Sequence, residues 1–329
     1  MKRWIATIAC FASFAIGTAQ AQETKWQLIN EYPATSLAGE GDIFFADAVK
    51  QKTGGRVVIE PLPDAKSGLR TREQLKAVSD GRFAMADSFG GALGDESPIF
   101  LLSSLPFVTP SPAHARALYE AALPLYEKLF AERKQKLLYV SPWPPSGIWS
   151  AVRITGVGAL KALKVRTYDK TSTDLFSQVA GSASTISFAD LTPKLENGEI
   201  NAVLSSGDGG AGRQLWKYLP YFSDITYAIP LSFASVSLDA WSKLDDATRA
   251  AIESAGKDTT EHQWNAMNGR VERNFAVMRQ NNVTIDDHPP LDVTLALATA
   301  GARSLIEWQL HAGPDAGQVY DSYNARLPK

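Results

Sequence analysis

The sequence predicts an α/β protein of two domains that a long helix connects. Short apolar segments alternate with segments of helical period along most of the chain, a pattern typical of βαβα order and a largely parallel sheet. A Pro- and Gly-rich stretch from Pro142 to Gly147 separates two such cycles and predicts a crossing between domains. From Asp245 to about Gln280 the pattern is helical and too long for one small domain. We therefore expect this helix to span both domains.

The first cycle contains four predicted strands and three predicted helices. The strands are expected at 25–29, 56–60, 83–89 and 137–140. The helices are expected at 41–51, from 71 to about 79, and from 113 to about 135. The segment Thr71-Arg72-Glu73-Gln74 matches a capping box, so we place the start of the second helix there.

The second cycle follows the Pro- and Gly-rich stretch. Its predicted strands are 164–168, 183–187 and 201–205, with a further extended apolar segment at 229–238. Its shorter helices are expected at 174–180 and 190–197. Two α/β units are consistent with a chain of 329 residues.

The composition excludes several classes of function. The chain has a formal net charge of −2 and no basic block, so we expect no nucleic-acid partner. Its single cysteine excludes a disulfide framework. None of the four histidines has the spacing of a metal motif such as HExxH. We therefore expect no metal site.

Residues 1–21 have the pattern of a secretory signal. Lys2 and Arg3 precede an apolar run that ends at Ile16, and Ala19-Gln20-Ala21 supplies a small-x-small cleavage site. The run is shorter than the roughly 20 residues that cross a bilayer. We expect cleavage after Ala21, an exported protein that is not membrane-embedded, and no nucleotide cofactor, because such cofactors are cytoplasmic.

The segment from Gly207 to Gly212 matches GxGxxG, which resembles a dinucleotide fingerprint. Its position two-thirds along an exported chain argues against that function. A glycine-rich loop that approaches another ligand closely, and a plain turn, both remain open. Hydrolase motifs such as GxSxG are absent from the sequence, and Asp245-Asp246 and Asp286-Asp287 are typical of a helix cap and a loop.

Five blocks resemble, in order, the solute receptors of tripartite ATP-independent periplasmic (TRAP) transporters of the DctP type. Residues 160–166, LKALKVR, are similar to the family's "dLKGLKvR" strand entry. The other blocks are KTGGRV at 52–57, SG, QL and GRFAMAD between 67 and 87, LPF at 105–107, and FADLTPKL followed by GEINA at 188–202.

The resemblance implies a periplasmic, non-enzymatic clamp that closes over one small organic acid and delivers it to membrane permease subunits. Because the chain of such a clamp crosses between domains more than once, we expect domain I at 24–146 and 232–270. Domain II is expected at 147–231 and 271–329. An exported α/β enzyme acting on a small carboxylate in the same cleft is the alternative.

Arg166 matches the family's carboxylate-binding arginine. A guanidinium is always charged and offers a planar fork that binds a carboxylate through two parallel hydrogen bonds. Without the resemblance, a structural salt bridge at a strand end would be the simpler interpretation. The resemblance implies that Arg166 anchors the ligand.

Departures from the family pattern predict the nature of the ligand. Trp149 stands where many relatives have a second arginine, and Ser205 replaces their binding asparagine. Further candidate contacts lie near predicted strand ends or on the glycine-rich segment: Trp143, Tyr168, Phe89, Phe188, Ser206 and Asp208. Each aromatic residue alone is more often part of a core, and Asp208 has helix capping as its alternative role. Together they favour an aromatic or otherwise apolar monocarboxylate.

Overall fold

The structure is a computed structural model that describes residues 23–327. The predicted signal peptide lies outside these residues. Within 23–327, no helix has both the length and the apolar character needed to cross a membrane.

The predicted elements are present, several with boundaries moved by one to four residues, whereas β5, β9, β11, α11 and α12 were not predicted. The strands are β1 (Thr24–Asn30), β2 (Val57–Leu62), β3 (Met85–Phe89), β4 (Gln135–Pro142), β5 (Ser146–Ser150), β6 (Lys164–Thr167), β7 (Ser182–Thr185), β8 (Ala202–Ser206), β9 (Tyr221–Ser223), β10 (Leu231–Ser237) and β11 (Thr284–Asp286). The helices are α1 (Leu37–Lys52), α2 (Thr71–Ser79), α3 (Pro112–Glu132), α4 (Val157–Leu160), α5 (Lys170–Val179), α6 (Leu191–Glu196), α7 (Gly207–Gly212), α8 (Leu238–Ser242), α9 (Asp246–Ala266), α10 (Arg270–Gln280), α11 (Leu291–Ala312) and α12 (Pro314–Arg326).

The strands form two sheets, which define two lobes. The first lobe contains the order β2-β1-β3-β10-β4, and the second contains β11-β9-β5-β8-β6-β7. In each sheet, one strand runs antiparallel to both of its neighbours: β10 in the first and β5 in the second. Both strands enter directly from the other lobe. The sheets are therefore mixed, whereas the sequence predicted largely parallel ones.

The chain crosses between the sheets along two hydrogen-bonded segments. The first crossing leads from β4 to β5 through the Pro-rich stretch that predicted it, and the second leads from β9 to β10. The amide of Trp143 donates to the carbonyl of Pro230 at 2.8 Å, and that of Ser146 donates to Ala228 at 2.9 Å. Such a pair of adjacent extended segments can bend without breaking either lobe.

The prediction of one continuous helix from Asp245 to about Gln280 is wrong. It is two helices, α9 and α10, separated at Gly269, whose φ of 70° lies in the left-handed region that glycine tolerates. Helix α9 packs against α1 and β4 of the first lobe, and α10 packs against α7 of the second. The pair as a whole therefore runs from one lobe to the other.

The predicted domain boundaries stay a prediction, and we propose one change to them. Each strand lies in the sheet to which the predicted division assigns most of its residues, and only the first residues of β5 and β10, Ser146 and Leu231, fall one residue before a boundary. Helix α12 was assigned to domain II, but it packs against α3 of the first lobe. Its Val319 and Tyr323 belong to the same buried cluster as Tyr126. We therefore propose that α12 belongs to domain I.

Candidate functional site

A small cavity lies between the two lobes, next to the crossing segments. Several strand ends meet there, among them the last residues of β3, β6 and β8 and the first residue of β5. Ligands of open α/β sheets bind outside the carboxyl ends of the strands. Seven of the nine predicted site residues line the cavity: Phe89, Trp143, Arg166, Tyr168, Phe188, Ser205 and Ser206. The sequence did not predict its other lining residues, Tyr32, Ser146 and Pro230.

Arg166 carries the only charge among these lining residues and is almost completely buried, with 2% of its surface exposed. Its Nε donates to the carbonyl of Ile186 at 2.7 Å, and its Nη1 donates to that of Leu204 at 3.2 Å. These bonds to neighbouring backbone fix the guanidinium at the end of β6. Within residues 23–327, no carboxylate oxygen lies within 4.0 Å of it.

The environment of Arg166 is unfavourable for a cation. Burial lowers the pKa of its guanidinium, while the nearby Tyr32 and Glu31 raise it by a smaller amount. A buried charge without a close opposite charge costs several kcal/mol. A carboxylate entering the cavity would supply that opposite charge where water is largely excluded, so the geometry suits an anionic ligand.

Aromatic rings form most of the remaining cavity wall. The ring of Tyr32 lies 4.6 Å from both Trp143 and Phe188, centroid to centroid. Phe89 contacts Tyr168 edge-on at 5.2 Å. These rings are rigid and largely buried, so they offer a flat apolar surface to a ligand at little cost in side-chain entropy.

A second guanidinium, which sequence reasoning missed, approaches the same wall. The Cζ of Arg213 lies 5.0 Å from the ring centroid of Phe188, and that of Arg166 lies 5.9 Å from it. Arg213 also pairs with Asp64 of the first lobe at 3.6 Å. Two guanidinium groups of the second lobe therefore lie against the ring of Phe188, which forms part of the cavity wall.

The two predicted serines have different roles. The Ser206 hydroxyl accepts from the amide of Gly209 at 3.1 Å and caps α7. The Ser205 hydroxyl has no hydrogen-bond partner among residues 23–327, and it faces the cavity beside Arg166. It is therefore available to a polar group on the ligand.

Trp149 does not line the cavity, which corrects the prediction made from its place in the family pattern. Its indole packs beneath α7, where a Cβ added to Gly210 would lie 2.1 Å from the ring. Its Nε1 donates to the carbonyl of Ser206 at 3.2 Å. Side chains alternate along a strand, so Trp149 and the cavity residue Ser146, three positions earlier on β5, point to opposite faces. The glycines of the GxGxxG segment allow this close approach of helix and indole.

Asp208 also lies outside the cavity, and the helix that it caps is α1 of the first lobe rather than the helix that follows it in the chain. Its side chain is 1% exposed. One carboxylate oxygen accepts from the amide of Leu37 at the start of α1, at 2.8 Å. The other accepts from the Nε of Arg270 at 2.6 Å. Asp208 therefore joins α7, α1 and α10 and has no free oxygen for a ligand hydroxyl or amine.

A larger groove of about 890 Å³ lies between α5, α11 and the turn at Pro98–Ser104. Two of its charged side chains, Lys170 and Asp174, pair with each other at 2.6 Å, and both are exposed. We place the site at the smaller cavity because, of these two, it is the one that contains a buried cation without a paired carboxylate among residues 23–327.

Comparisons with known proteins agree with the fold described above. Residues 30–296 match the family of bacterial extracellular solute-binding proteins, family 7, known as DctP. A solute-binding protein of Chromohalobacter salexigens is 24% identical over 266 residues, which are 78% of this chain and 77% of the relative.

Two crystal structures from Bordetella pertussis are similar over almost their whole length. DctP7, an extracytoplasmic solute receptor binding pyroglutamic acid, has a TM-score of 0.88 and 26% identity, covering 92% of this chain and 99% of that one. DctP6, also a receptor binding pyroglutamic acid, has a TM-score of 0.87 and 28% identity, covering 92% and 100%.

The fold and the cleft therefore define a two-lobed solute receptor. The chain belongs to family 7 of the bacterial extracellular solute-binding proteins, which confirms the resemblance to TRAP receptors. It is a substrate-binding receptor, and the alternative of an exported enzyme is wrong, because the family and its similar structures are receptors.

Proposed function

We propose that the protein binds a small carboxylate through Arg166 in the periplasm and delivers it to the membrane permease of a TRAP transporter. The observation that carries this proposal is the buried guanidinium, which two backbone carbonyls hold and which no carboxylate of residues 23–327 neutralises. The crossing segments allow the lobes to separate for ligand entry, and ligand binding favours the closed form.

The ligand that fits these contacts is a compact, ring-bearing monocarboxylate. One cation faces the cavity directly, which suits one carboxylate. The aromatic rings of Tyr32, Trp143 and Phe188 suit an apolar ring face. The free hydroxyl of Ser205 suits at most one or two polar groups. Pyroglutamate, the ligand of the similar Bordetella receptors, is such a molecule, and so is benzoate.

Calorimetric titration of the protein without its signal distinguishes these ligands. The panel contains pyroglutamate, benzoate, the neutral isostere benzamide, and glucuronate as a polyhydroxylated acid. We expect one or both cyclic monocarboxylates to bind and benzamide to fail, because benzamide has no charge for Arg166. At a ligand concentration of 100 Kd, binding should stabilise the fold by about 2.7 kcal/mol. Tightest binding of glucuronate, or equal binding of benzoate and benzamide, would contradict the proposal.

A further inference from the structure

Glu31 is a buried carboxylate that contacts both lobes. It follows β1 and is only 2% exposed. Its Oε2 accepts from the amide and the hydroxyl of Thr71, at 2.8 and 2.6 Å, within the first lobe. Its Oε1 accepts from the amide of Ala189 in the second lobe, at 2.9 Å. All three donors use the carboxylate as an acceptor, so both of its oxygens are engaged.

The helix α2 begins at Thr71 as predicted, but its capping box starts one residue earlier than the sequence pattern indicates. Arg70 is the N-cap, and the Glu73 carboxylate accepts from its amide at 2.8 Å. Thr71 thereby becomes the first helical residue, and its hydroxyl is free to bind Glu31. The carboxylate of Glu31 is thus aimed by its own lobe, whether or not the second lobe is in contact.

A neighbouring ion pair reinforces the contact between lobes. The Nη2 of Arg70 lies 2.6 Å from the Oδ1 of Asp190, and its Nε donates to both carboxylate oxygens at 3.1 and 3.2 Å. Arg70 and Asp190 are each only partly buried, so the pair alone is weak. However, this ion pair lies next to the hydrogen bond between Glu31 and Ala189, so both interactions join the same two regions of the two lobes. We call Glu31, Arg70, Ala189 and Asp190 the closure clasp.

The clasp is one residue away from the cavity on each side. Tyr32 follows Glu31, and Phe188 precedes Ala189. The rings of Tyr32 and Phe188 are 4.6 Å apart, and both line the cavity that contains Arg166. Because the two rings come from different lobes, they can meet only when the segments behind them are joined.

We propose that Glu31 is a positioning residue that sets the lifetime of the closed, ligand-bound state. This inference rests on the proposed function. The carboxylate stays bound to Thr71 in either state and gains the Ala189 amide on closure. It thereby places Tyr32 over Phe188 and Arg166 and delays departure of the ligand. A hydrogen bond to a charged group contributes about 1.5–3 kcal/mol, which corresponds to a roughly ten- to hundredfold change in dissociation rate.

The test is Glu31→Gln, with Glu253→Gln as the matched control. Glu253 is an exposed glutamate of α9 that pairs with Lys136, away from the cavity. Glutamine has one acceptor oxygen, so its amide group must face a donor on one lobe or the other. We expect the ligand dissociation rate, followed by stopped-flow tryptophan fluorescence, to rise roughly ten- to hundredfold in Glu31→Gln. The association rate should change little, and Glu253→Gln should match the wild type.

A double-mutant cycle and a distance measurement complete the test. Arg70→Ala and Glu31→Gln should show coupling in dissociation rate if the clasp acts as a unit. Spin labels on cysteines introduced at Lys66 and Lys161, exposed positions of the two lobes, report the separation of the lobes without requiring a ligand. We expect Glu31→Gln to broaden this distance distribution toward longer values, with or without ligand.

The outcomes separate this inference from the proposed function. If Glu31→Gln has the wild-type dissociation rate and distance distribution, the role of Glu31 is refuted while carboxylate binding stands. If no carboxylate binds the wild type, the proposed function fails. In that case the ligand-free distances alone decide whether Glu31 holds the lobes together.

Discussion

The buried pair Asp42 and Asp87 makes a sharp prediction about stability and pH. Both side chains are about 1% exposed inside the first lobe. Asp42 accepts from the hydroxyl of Tyr139 at 2.6 Å and from the side-chain Nδ2 of Asn30 at 2.7 Å. One oxygen of Asp87, Oδ1, has no hydrogen-bond partner among residues 23–327. Burial raises the pKa of Asp42 to about 6. Burial and the charge of Asp42 raise the pKa of Asp87 well above its usual range.

The sign of the effect follows from these raised pKa values. The folded protein holds both protons more tightly than the unfolded chain, whose aspartates have pKa values near ~3.9. The contribution of this pair to the free energy of unfolding is therefore greatest below about pH 4 and falls as the pH rises. Each proton held only by the folded state costs about 1.4 kcal/mol per pH unit. Asp42 contributes this loss up to about pH 6, and Asp87 contributes a loss of the same sign.

The variant Asp87→Asn removes one of the two protons and keeps a donor for Asp42. We expect the difference between its free energy of unfolding and that of the wild type to grow with pH, by about 1.4 kcal/mol per pH unit wherever folded Asp87 keeps its proton and the unfolded chain does not. Urea denaturation at several pH values measures this difference. Asp169, another buried carboxyl with a pKa raised by burial to about 6, is present in both proteins, so its contribution cancels. Parallel stability curves for the two proteins would refute the reasoning.

Three further predictions concern the cavity and the helix beside it. Gly210→Ala should destabilise the fold by about 1–3 kcal/mol, because the new Cβ would overlap the indole of Trp149; an unchanged urea midpoint would contradict this. Trp149→Arg should lower stability and leave the order of ligand preferences unaltered in any folded fraction; a switch toward sugar acids in calorimetry would place Trp149 in the site after all. Ser205→Ala should weaken a ligand that carries a second polar group by about 0.5–1.5 kcal/mol and leave benzoate unchanged; equal losses for both ligands would argue against its role.

Much of the architecture follows from local patterns in the sequence. The β-branched run at Val57–Ile59 and the helical period before Thr53 predicted β2 and α1, and the Pro-rich stretch predicted the first crossing. The short strands β9 and β11 were not predicted, because three residues carry too little periodicity. The break between α9 and α10 falls at a single glycine, Gly269. A helical sequence pattern tolerates one glycine, so the pattern alone does not show whether the helix continues or breaks there.

The site was predictable only in part, for a physical reason. Arg166 and the aromatic residues stand at strand ends, and the strand ends of one sheet meet at one edge. The contacts of Asp208 and Glu31, in contrast, join residues 171 and 158 positions apart. No local pattern encodes such pairs. Tyr32 could have been noticed as an aromatic residue in the loop that follows β1, a strand whose end the sequence predicted.

The central claim is tested most directly by titrating a binding carboxylate and its neutral amide into the wild type, Arg166→Lys and Arg166→Gln. Arg153→Gln, at an exposed arginine paired with Asp286, is the matched control, and circular dichroism verifies that each variant is folded. Removing one member of a buried charge pair costs about 2–5 kcal/mol. We therefore predict a loss of affinity of at least thirtyfold for the carboxylate in Arg166→Gln, a smaller loss in Arg166→Lys, and no difference for the amide. Carboxylate affinity within threefold of the wild type in both folded variants would contradict the claim that Arg166 anchors the ligand.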